Sequence, residues 1–239
     1  MDPKPRPAIA WSSWKASWFR QSTTMRFIAQ GLQDANQSAL PVHERTDPHP
    51  VRATDESDHW FRPWLDTTPA QLAARSTARW ASLVEATLVD GTTRVMDGQL
   101  FHGDLTNLFL MEAESATLSD HALAVAKTIA PLKPLVVYFR QEDVKQAIRA
   151  VCKERGADWV AYQVNWKLAA SYRRRRELVG LEGLIALCQD YRRLPDELFE
   201  LLPLDKLAIE NSKQDWLAYQ GLILHALGLA SFPPDRAPV

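Results

Sequence analysis

The chain has 239 residues, of which 46% are hydrophobic and 24% charged, and its net charge is −1. This length and hydrophobic content suit one α/β domain whose core needs no disulfide or metal to hold it together. The balanced charge argues against a protein that binds nucleic acid or a membrane surface mainly through net charge. The two cysteines, Cys152 and Cys188, have no metal-motif spacing, and a reducing cytoplasm is the default location.

The N-terminal region contains no apolar run long enough for a signal peptide, and no stretch of the sequence is long and apolar enough to predict a transmembrane helix. The two ends, residues 1–7 and 231–239, are rich in proline and are expected to be loose. The sequence therefore predicts one domain over residues 1–230 and a loose tail after it.

Short apolar runs alternate with amphipathic stretches along the chain. In chain order the pattern predicts a helix at 22–32, a strand at 39–43, a helix at 69–89, a strand at 92–96, helices at 100–111 and 119–130, a strand at 131–139, a helix at 144–155, a less regular stretch at 157–176, helices at 181–193 and 196–202, a strand at 207–210 and a helix at 216–229. Such alternation predicts a parallel sheet covered by helices on both faces.

The first helix begins with three hydroxyl residues suited to open it, Ser22, Thr23 and Thr24. It looks like the helix after a phosphate-binding loop, Gly-x-x-x-x-Gly-Lys-[Ser/Thr], in which glycines let backbone N–H groups surround phosphate oxygens. With Ser22 as the last position, Lys15 and Arg20 stand where the glycines belong, and Gln21 replaces the lysine. The loop is absent as written, and an ordinary capped surface helix is the alternative interpretation.

Codon degeneracy offers an explanation for the missing loop. Residues 18–21 are encoded as TGG-TTY-(Arg)-CAR, and with CGG for Arg20 a reading one base later gives Gly, Ser or Phe, Gly, then Lys or Arg. When the codons of residues 14–16 are read two bases later, they contain Glu-Gly. We hypothesise that residues 9–21 are translated out of frame, through a sequencing error or a real lesion, and that the active form carries Gly-Ser-Gly-Lys-Ser-Thr.

The strand predicted at 92–96 ends in a carboxylate, Asp97, followed by Gly98. A carboxylate at the C-terminal end of a parallel strand points into the crevice where such sheets bind ligands. A plain turn aspartate before glycine is the alternative. Metal and nucleophile motifs are missing, since the sequence has no His-x-x-x-His, Cys-x-x-Cys or Gly-x-Ser-x-Gly.

The order of elements over residues 22–229 resembles the P-loop nucleoside and nucleotide monophosphate kinases, most closely thymidylate-kinase-like proteins. The similarity rests on four places: the hydroxyl residues 22–24, the strand-end Asp97, the stretch 139–156 and the stretch 208–212. In the family's Asp-Arg motif the arginine follows the carboxylate, and here Gly98 replaces it.

The resemblance implies a P-loop NTPase three-layer sandwich, with a five-stranded parallel sheet in the order 2-3-1-4-5, helices on both faces and a lid-like segment at about residues 153–180. It also implies transfer of the γ-phosphoryl group of ATP with Mg²⁺. That reaction needs a phosphate cradle, a metal, a carboxylate near the acceptor hydroxyl and mobile cations.

Roles for individual residues follow from the resemblance. Magnesium would be held by Ser22 and Asp97, and Asp97 could instead take up the acceptor proton. The catalytic candidates are Asp97, Arg149 and Arg173. The candidates for binding ATP are Gln21, Ser22, Thr23, Thr24, Asn211 and Ser212. The candidates for binding the acceptor are Glu44, Asp47, His102 and Asn107. The alternatives are a solvated loop for the carboxylates, helix-surface charges for the arginines and a structural role for the histidine.

Three hypotheses follow for the protein as a whole. The first is ATP-dependent phosphoryl transfer to a nucleotide, nucleoside or similar small acceptor, in the cytoplasm and without nucleic acid or membrane partners. Thymidylate-kinase-like proteins are often dimers, so the resemblance implies a homodimer as an option. The second is a non-catalytic relative with a binding or regulatory role. The third is a damaged, poorly folding product, because residues 9–11 are a meagre substitute for a central strand.

Overall fold

A computed structural model describes residues 8–10, 18–52, 54 and 59–229, with side chains from residue 23 onward. Its elements in chain order are β1 (Ala8–Ala10), α1 (Trp18–Asp34), β2 (Ala39–Val42), α2 (Pro69–Asp90), β3 (Thr93–Met96), α3 (Asp104–Leu110), α4 (Ser115–Ile129), β4 (Leu135–Arg140), α5 (Val144–Arg155), α6 (Ala157–Lys167), α7 (Ser171–Arg176), α8 (Gly180–Leu201), β5 (Asp205–Glu210) and α9 (Trp216–Ala226). The ends expected to be loose, 1–7 and 231–239, lie outside the described residues.

The strands form two separate hydrogen-bonded sheets, and every strand pair is parallel. The larger sheet has three strands in the order β1-β4-β5, and the smaller one pairs β2 with β3. Ile9 lies opposite Val136, and Val42 lies opposite Met96. The carboxyl ends of β2 and β3 therefore meet at one edge.

The prediction of one five-stranded sheet in the order 2-3-1-4-5, and with it the P-loop NTPase sandwich, is wrong. Between the described residues of β1 and β3, Cα atoms approach within 8 Å, but the hydrogen-bonded ladder does not join the two strands. The first strand has only three residues, so it offers few N–H and C=O groups for ladders on both of its edges.

Helices differ from the prediction mainly in the second half of the chain. Residues 157–176, expected to be less regular, form α6 and α7, separated from α5 by Gly156 at φ 82°. The two helices predicted at 181–193 and 196–202 are one helix, α8, with Pro195 inside it. The proposed lid-like segment is thus mostly helical.

The hydrophobic core fixes the positions of the helices and strands next to α3. Leu105 and Leu108 of α3 are fully buried beside Phe101 and Tyr138, whose ring centroids lie 5.4 Å apart in an edge-to-face contact. A second cluster packs α1 and α9 on β4, and a third joins α5, α6 and α8. The helix α3 is therefore anchored along its buried side.

The start of α2 is fixed by a capping box. Thr68 Oγ1 accepts a hydrogen bond from Gln71 N at 3.3 Å, and Thr68 N donates to Gln71 Oε1 at 3.0 Å. We expect Thr68→Ala to lower the free energy of unfolding by about 1 kcal/mol, measured by urea denaturation. Ser82→Ala, at an exposed mid-helix position of α2, is the control and should stay within about 0.5 kcal/mol of the native chain. Equal effects of the two changes would contradict the role of the cap.

A buried histidine on α4 makes stability depend on pH. His121 is 6% exposed, its Nδ1 has no hydrogen-bond partner, and burial lowers its pKa from 6.5 to about 4. The unfolded chain binds this proton below pH 6.5 and the folded chain only near pH 4, so stability falls as pH drops through that window. Near pH 4, the free energy of unfolding is lower by about 3 kcal/mol than at neutral pH because of this group.

We expect His121→Leu and His121→Gln to remove this part of the acid loss. The difference in unfolding free energy between each variant and the native chain should grow as pH falls from 7 towards 4, measured by urea denaturation at several pH values. The two replacements differ in polarity and size, so a shared pH dependence reports the lost titration rather than packing. A difference that stays constant with pH would contradict the assignment.

Candidate functional site: a pocket at the ends of β2 and β3

The loop that follows β2 meets the Asp97 carboxylate at the end of β3. Glu44 N donates a hydrogen bond to Asp97 Oδ1 at 2.7 Å, and His43 Nε2 lies 3.8 Å from Asp97 Oδ2. Asp97 is buried, while Glu44 and His43 are partly exposed. The parallel register of the two strands brings these loop residues together, as expected for the carboxyl ends of parallel strands.

A cavity of about 650 Å³ opens beside this pair. We call it the large pocket, and its lining comes from the loop after β2, the start of α3, residues 60–61 and α6. The lining residues are Glu44, Arg45, Thr46, Asp47, Arg52, Thr54, Trp60, Phe61, His102, Gly103, Asp104, Thr106, Asn107, Trp159, Tyr162 and Trp166. Its volume lies in the usual range for small-molecule sites, roughly 300–1,000 Å³.

Arg52 holds the wall of the large pocket in place. Its Nη1 donates to the Glu44 carbonyl oxygen at 2.8 Å, and its Nε donates to Gln99 Oε1 at 3.1 Å. Burial lowers the pKa of the guanidinium, while the carboxylates of Glu44, Asp104 and Asp97 oppose that shift. Because the arginine bonds to both strand-end loops, it fixes their spacing.

Asp104, at the first position of α3, adds a third carboxyl group to the large pocket, after Glu44 and Asp47. Burial raises the pKa of this carboxyl, and the charges of Arg52 and Arg79 act in the opposite direction. Arg79 Nη1 also donates to the Arg52 carbonyl oxygen at 2.8 Å. The polar wall therefore combines hydrogen-bond acceptors and fixed cations within one small area.

Aromatic side chains form another part of the lining. Trp60 and Phe61 meet edge to face with centroids 5.8 Å apart, and Tyr162 and Trp166 lie 6.0 Å apart. Trp166 Nε1 donates to the Phe61 carbonyl oxygen at 2.6 Å, which ties α6 to this loop. Rings in such an arrangement offer flat apolar surface for another flat ring.

The structure brings all four expected acceptor residues, Glu44, Asp47, His102 and Asn107, to the lining of the large pocket. Asp97 is not among the lining residues, but its carboxylate accepts a hydrogen bond from the backbone N–H of Glu44, which is one of them. The roles of these residues stay predictions.

The two arginines proposed as catalytic are not among the residues that line the large pocket. Arg149 pairs with Glu182 at 2.7 Å in an exposed ion pair, and the exposed Arg173 donates from Nε to the Leu178 carbonyl oxygen at 3.0 Å. Both side chains thus have local surface partners, which agrees with the alternative of helix-surface charges.

Asn211 and Ser212 lie beyond β5 and also outside the large-pocket lining. Asn211 N donates to the Arg140 carbonyl oxygen at 2.8 Å, and Gln141 Nε2 donates to Ser212 Oγ at 3.1 Å. The Asn211 Oδ1 atom is buried and has no hydrogen-bond partner. These residues form a separate polar corner at the ends of β4 and β5.

The expected phosphate-binding residues are only partly described. Gln21 and Ser22 belong to α1, but their side chains lie outside the described part, as do Lys15 and the loop before it. Thr23 is exposed, whereas Thr24 is 3% exposed and its Oγ1 has no hydrogen-bond partner. Of the expected phosphate-binding residues at the start of α1, the structure therefore describes the side chains of Thr23 and Thr24.

Sequence reasoning missed Arg52 and Asp104. Each is a single charged residue without a motif, and only tertiary contacts show its position. The aromatic residues that line the large pocket are not among the predicted site residues either. The sequence offers one signal for them, because aromatic residues are concentrated in two short stretches, 60–64 and 159–166.

Over the part of the chain that the structure describes, no group of three or more His, Cys, Asp or Glu side chains is arranged to hold a metal ion. The helices described there include none with the length and apolar character needed to cross a membrane. No family model matches the sequence, and no curated protein matches it either.

Proposed function

We propose that the large pocket binds the acceptor of an ATP-dependent phosphoryl transfer, and that this acceptor is a nucleotide, nucleoside or similar small molecule with a flat ring. The observation that carries the proposal is the convergence of Glu44, Asp47, His102 and Asn107 on one cavity at the ends of two parallel strands. Ligands in α/β proteins bind at such strand ends.

The two walls of the large pocket support a ring-bearing acceptor. Trp60, Phe61 and Trp159 offer faces or edges for stacking, and Asp104 and Asn107 supply polar atoms that can hydrogen-bond to a ring's edge. Stacking excludes water, and polar groups then select among rings of similar shape.

Asp97 is the residue best placed for proton transfer or metal binding. Its Oδ1 is held by the Glu44 N–H, which orients the carboxylate; Glu44 lines the large pocket, and Asp97 lies one hydrogen bond away from that lining. A carboxylate in this position can accept a proton from an acceptor hydroxyl. Magnesium in phosphoryl-transfer sites is held by one or two carboxylates together with substrate phosphates, so Asp97 suits that role.

The residues before Ser22 do not fit an ATP phosphate cradle. Lys15, Arg20 and Gln21 occupy the positions where two glycines and a lysine would surround and neutralise phosphate oxygens. For the chain as written, the proposal therefore concerns the acceptor side. The same observation favours the second candidate function, a non-catalytic protein that binds a nucleotide-like molecule in the large pocket.

A phosphoryl-transfer assay separates the two candidates. The native chain and a variant carrying Lys15→Gly, Arg20→Gly and Gln21→Lys would be incubated with Mg-ATP and a panel of nucleosides and nucleotides. We expect turnover by the restored variant, and Asp97→Asn in that variant should reduce the rate by about 100-fold or more. A restored variant that melts cooperatively but binds no Mg-ATP would overturn the catalytic proposal and leave the binding role.

Location and assembly belong to the same proposal. We place the protein in the cytoplasm as a possible homodimer without nucleic acid or membrane partners, on the balanced charge and the two cysteines without disulfide spacing. Sedimentation analysis at micromolar concentration tests the dimer.

A further inference from the structure

A second, smaller cavity lies directly behind the large pocket. It has an internal volume of about 30 Å³, and it shares His102, Thr106 and Trp159 with the large pocket. Most of its remaining lining is apolar and comes from α3, α5 and α8: Phe109, Leu110, Ile148, Leu184 and Leu187. A single water needs roughly 10–15 Å³ of such space, so this cavity has room for one or two waters or a group of that size.

Lys167, the last residue of α6, is the one lysine or arginine among the described residues that line the small cavity. The residue is 5% exposed, and its Nζ lies 4.7 Å from the centroid of the Trp166 ring. Among the described residues, no carboxylate oxygen lies within ion-pair distance, 4.0 Å, of this Nζ. The side chain is thus largely buried, and its ammonium contacts the Trp166 ring.

Such a placement is unfavourable unless something compensates for the lost hydration. Burial lowers the pKa of Lys167, and electrostatic interactions with Cys188 and Glu44 only partly oppose that shift. A buried ammonium is stabilised by an opposite charge at close range. The space beside Lys167 can hold that charge, because the small cavity is large enough for a small anion and the described residues of its lining include no Asp or Glu.

We propose that the small cavity is a binding site for a small anionic group that pairs with Lys167. Two sources share this chemistry. One is a free ion of the size of chloride or acetate. The other is a carboxylate carried by a ligand in the large pocket, which would enter past His102, Thr106 and Trp159. The inference goes beyond the proposed function and does not depend on phosphoryl transfer.

The first test compares thermal melting of the native chain, Lys167→Met and the control Lys127→Met, which alters an exposed lysine of α4. Chloride and acetate would be titrated at constant ionic strength against gluconate, whose anion is too large for the cavity. We expect a saturable rise in Tm for the native and Lys127→Met chains. The apparent anion affinity of Lys167→Met should fall by about 30-fold or more. Without added small anion, Lys167→Met should melt higher than the native chain, because a buried unpaired charge is gone.

The second test separates the two sources with orotidine, a nucleoside bearing a carboxylate, and uridine, which lacks it. If the anionic group is a carboxylate of a ligand, orotidine should bind the native chain at least about tenfold more tightly than uridine, and Lys167→Met should abolish this difference. If the anionic group is a free ion, the Tm should respond to chloride or acetate, and orotidine should bind no more tightly than uridine.

Bromide soaked into crystals of the unaltered protein gives a readout that does not require a folded variant. Under the free-ion source, we expect an anomalous peak beside Lys167 Nζ. The proposal is overturned if the native Tm responds to no small anion, bromide leaves no peak and orotidine binds no better than uridine. An identical ion response and orotidine preference in the Lys167→Met chain would overturn it as well.

Discussion

Replacing Arg52 by methionine is expected to lower the free energy of unfolding by about 3–5 kcal/mol and the Tm by roughly 10 °C. Methionine fills similar space but cannot donate to the Glu44 carbonyl oxygen or to Gln99 Oε1. It also removes the cation that faces the carboxylates of Asp97 and Asp104. The change therefore leaves polar groups without partners where water has limited access, which is a costly kind of substitution.

The matched control is Arg149→Met. Arg149 forms an exposed ion pair with Glu182, and its loss should cost no more than about 1 kcal/mol. Urea denaturation of both variants gives the comparison directly. Similar, small losses for Arg52→Met and Arg149→Met would contradict the view that Arg52 holds the two strand-end loops together.

Replacing Trp60 by alanine is expected to weaken binding of a ring-bearing acceptor by about 10- to 100-fold, the usual loss when an aromatic stacking partner of a base is removed. Trp60 lines the large pocket, the Arg52 guanidinium carbon lies 5.6 Å from its ring centroid, and Phe61 meets it edge to face. These neighbours hold the indole in position before a ligand arrives. Isothermal titration with a panel of nucleosides and nucleotides measures the effect.

Trp60→Phe is the control for this second prediction, because it keeps an aromatic face and should retain most of the affinity. Trp64→Ala is a further comparison, since Trp64 packs against the cluster around α5 and α8 and does not line the large pocket. Equal affinities of the native and Trp60→Ala chains would show that the acceptor does not stack on this wall.

Local patterns in the sequence predict part of this fold. The β-branched run before Asp97 and the short apolar run before His43 give β3 and β2, and the parallel pairing of both sheets follows from the alternation with helices. The number of sheets could not be read in the same way. It depends on whether the three residues of β1 hydrogen-bond on one edge or two, and no hydrophobic pattern encodes that choice.

The helix α6 shows why periodicity failed near the pocket. Trp159, Tyr162 and Trp166 line the large pocket, whereas Val160 and Val164 pack towards α8. Apolar residues therefore point in two directions, and the single stripe that marks an amphipathic helix is missing. The same residues look irregular in sequence and regular in the structure.

The candidate site was predictable where a residue follows a strand and unpredictable where it lies alone. Glu44, Asp47 and Asp97 follow recognisable strands, so strand-end reasoning finds them. Arg52 and Asp104 act through contacts between distant segments, such as Arg52 with Gln99, and no spacing rule points to them. Their roles depend on tertiary contacts.

The central claim is that the large pocket binds a nucleotide-like acceptor, and calorimetric titration of the native chain tests it most directly. Each nucleoside and nucleoside monophosphate would be titrated at neutral pH without ATP, which makes the result independent of any ATP binding. We predict saturable 1:1 binding of at least one of them with a negative heat-capacity change, weakened in Trp60→Ala and retained in Trp60→Phe. A cooperatively folded native chain that binds none of them would contradict the account.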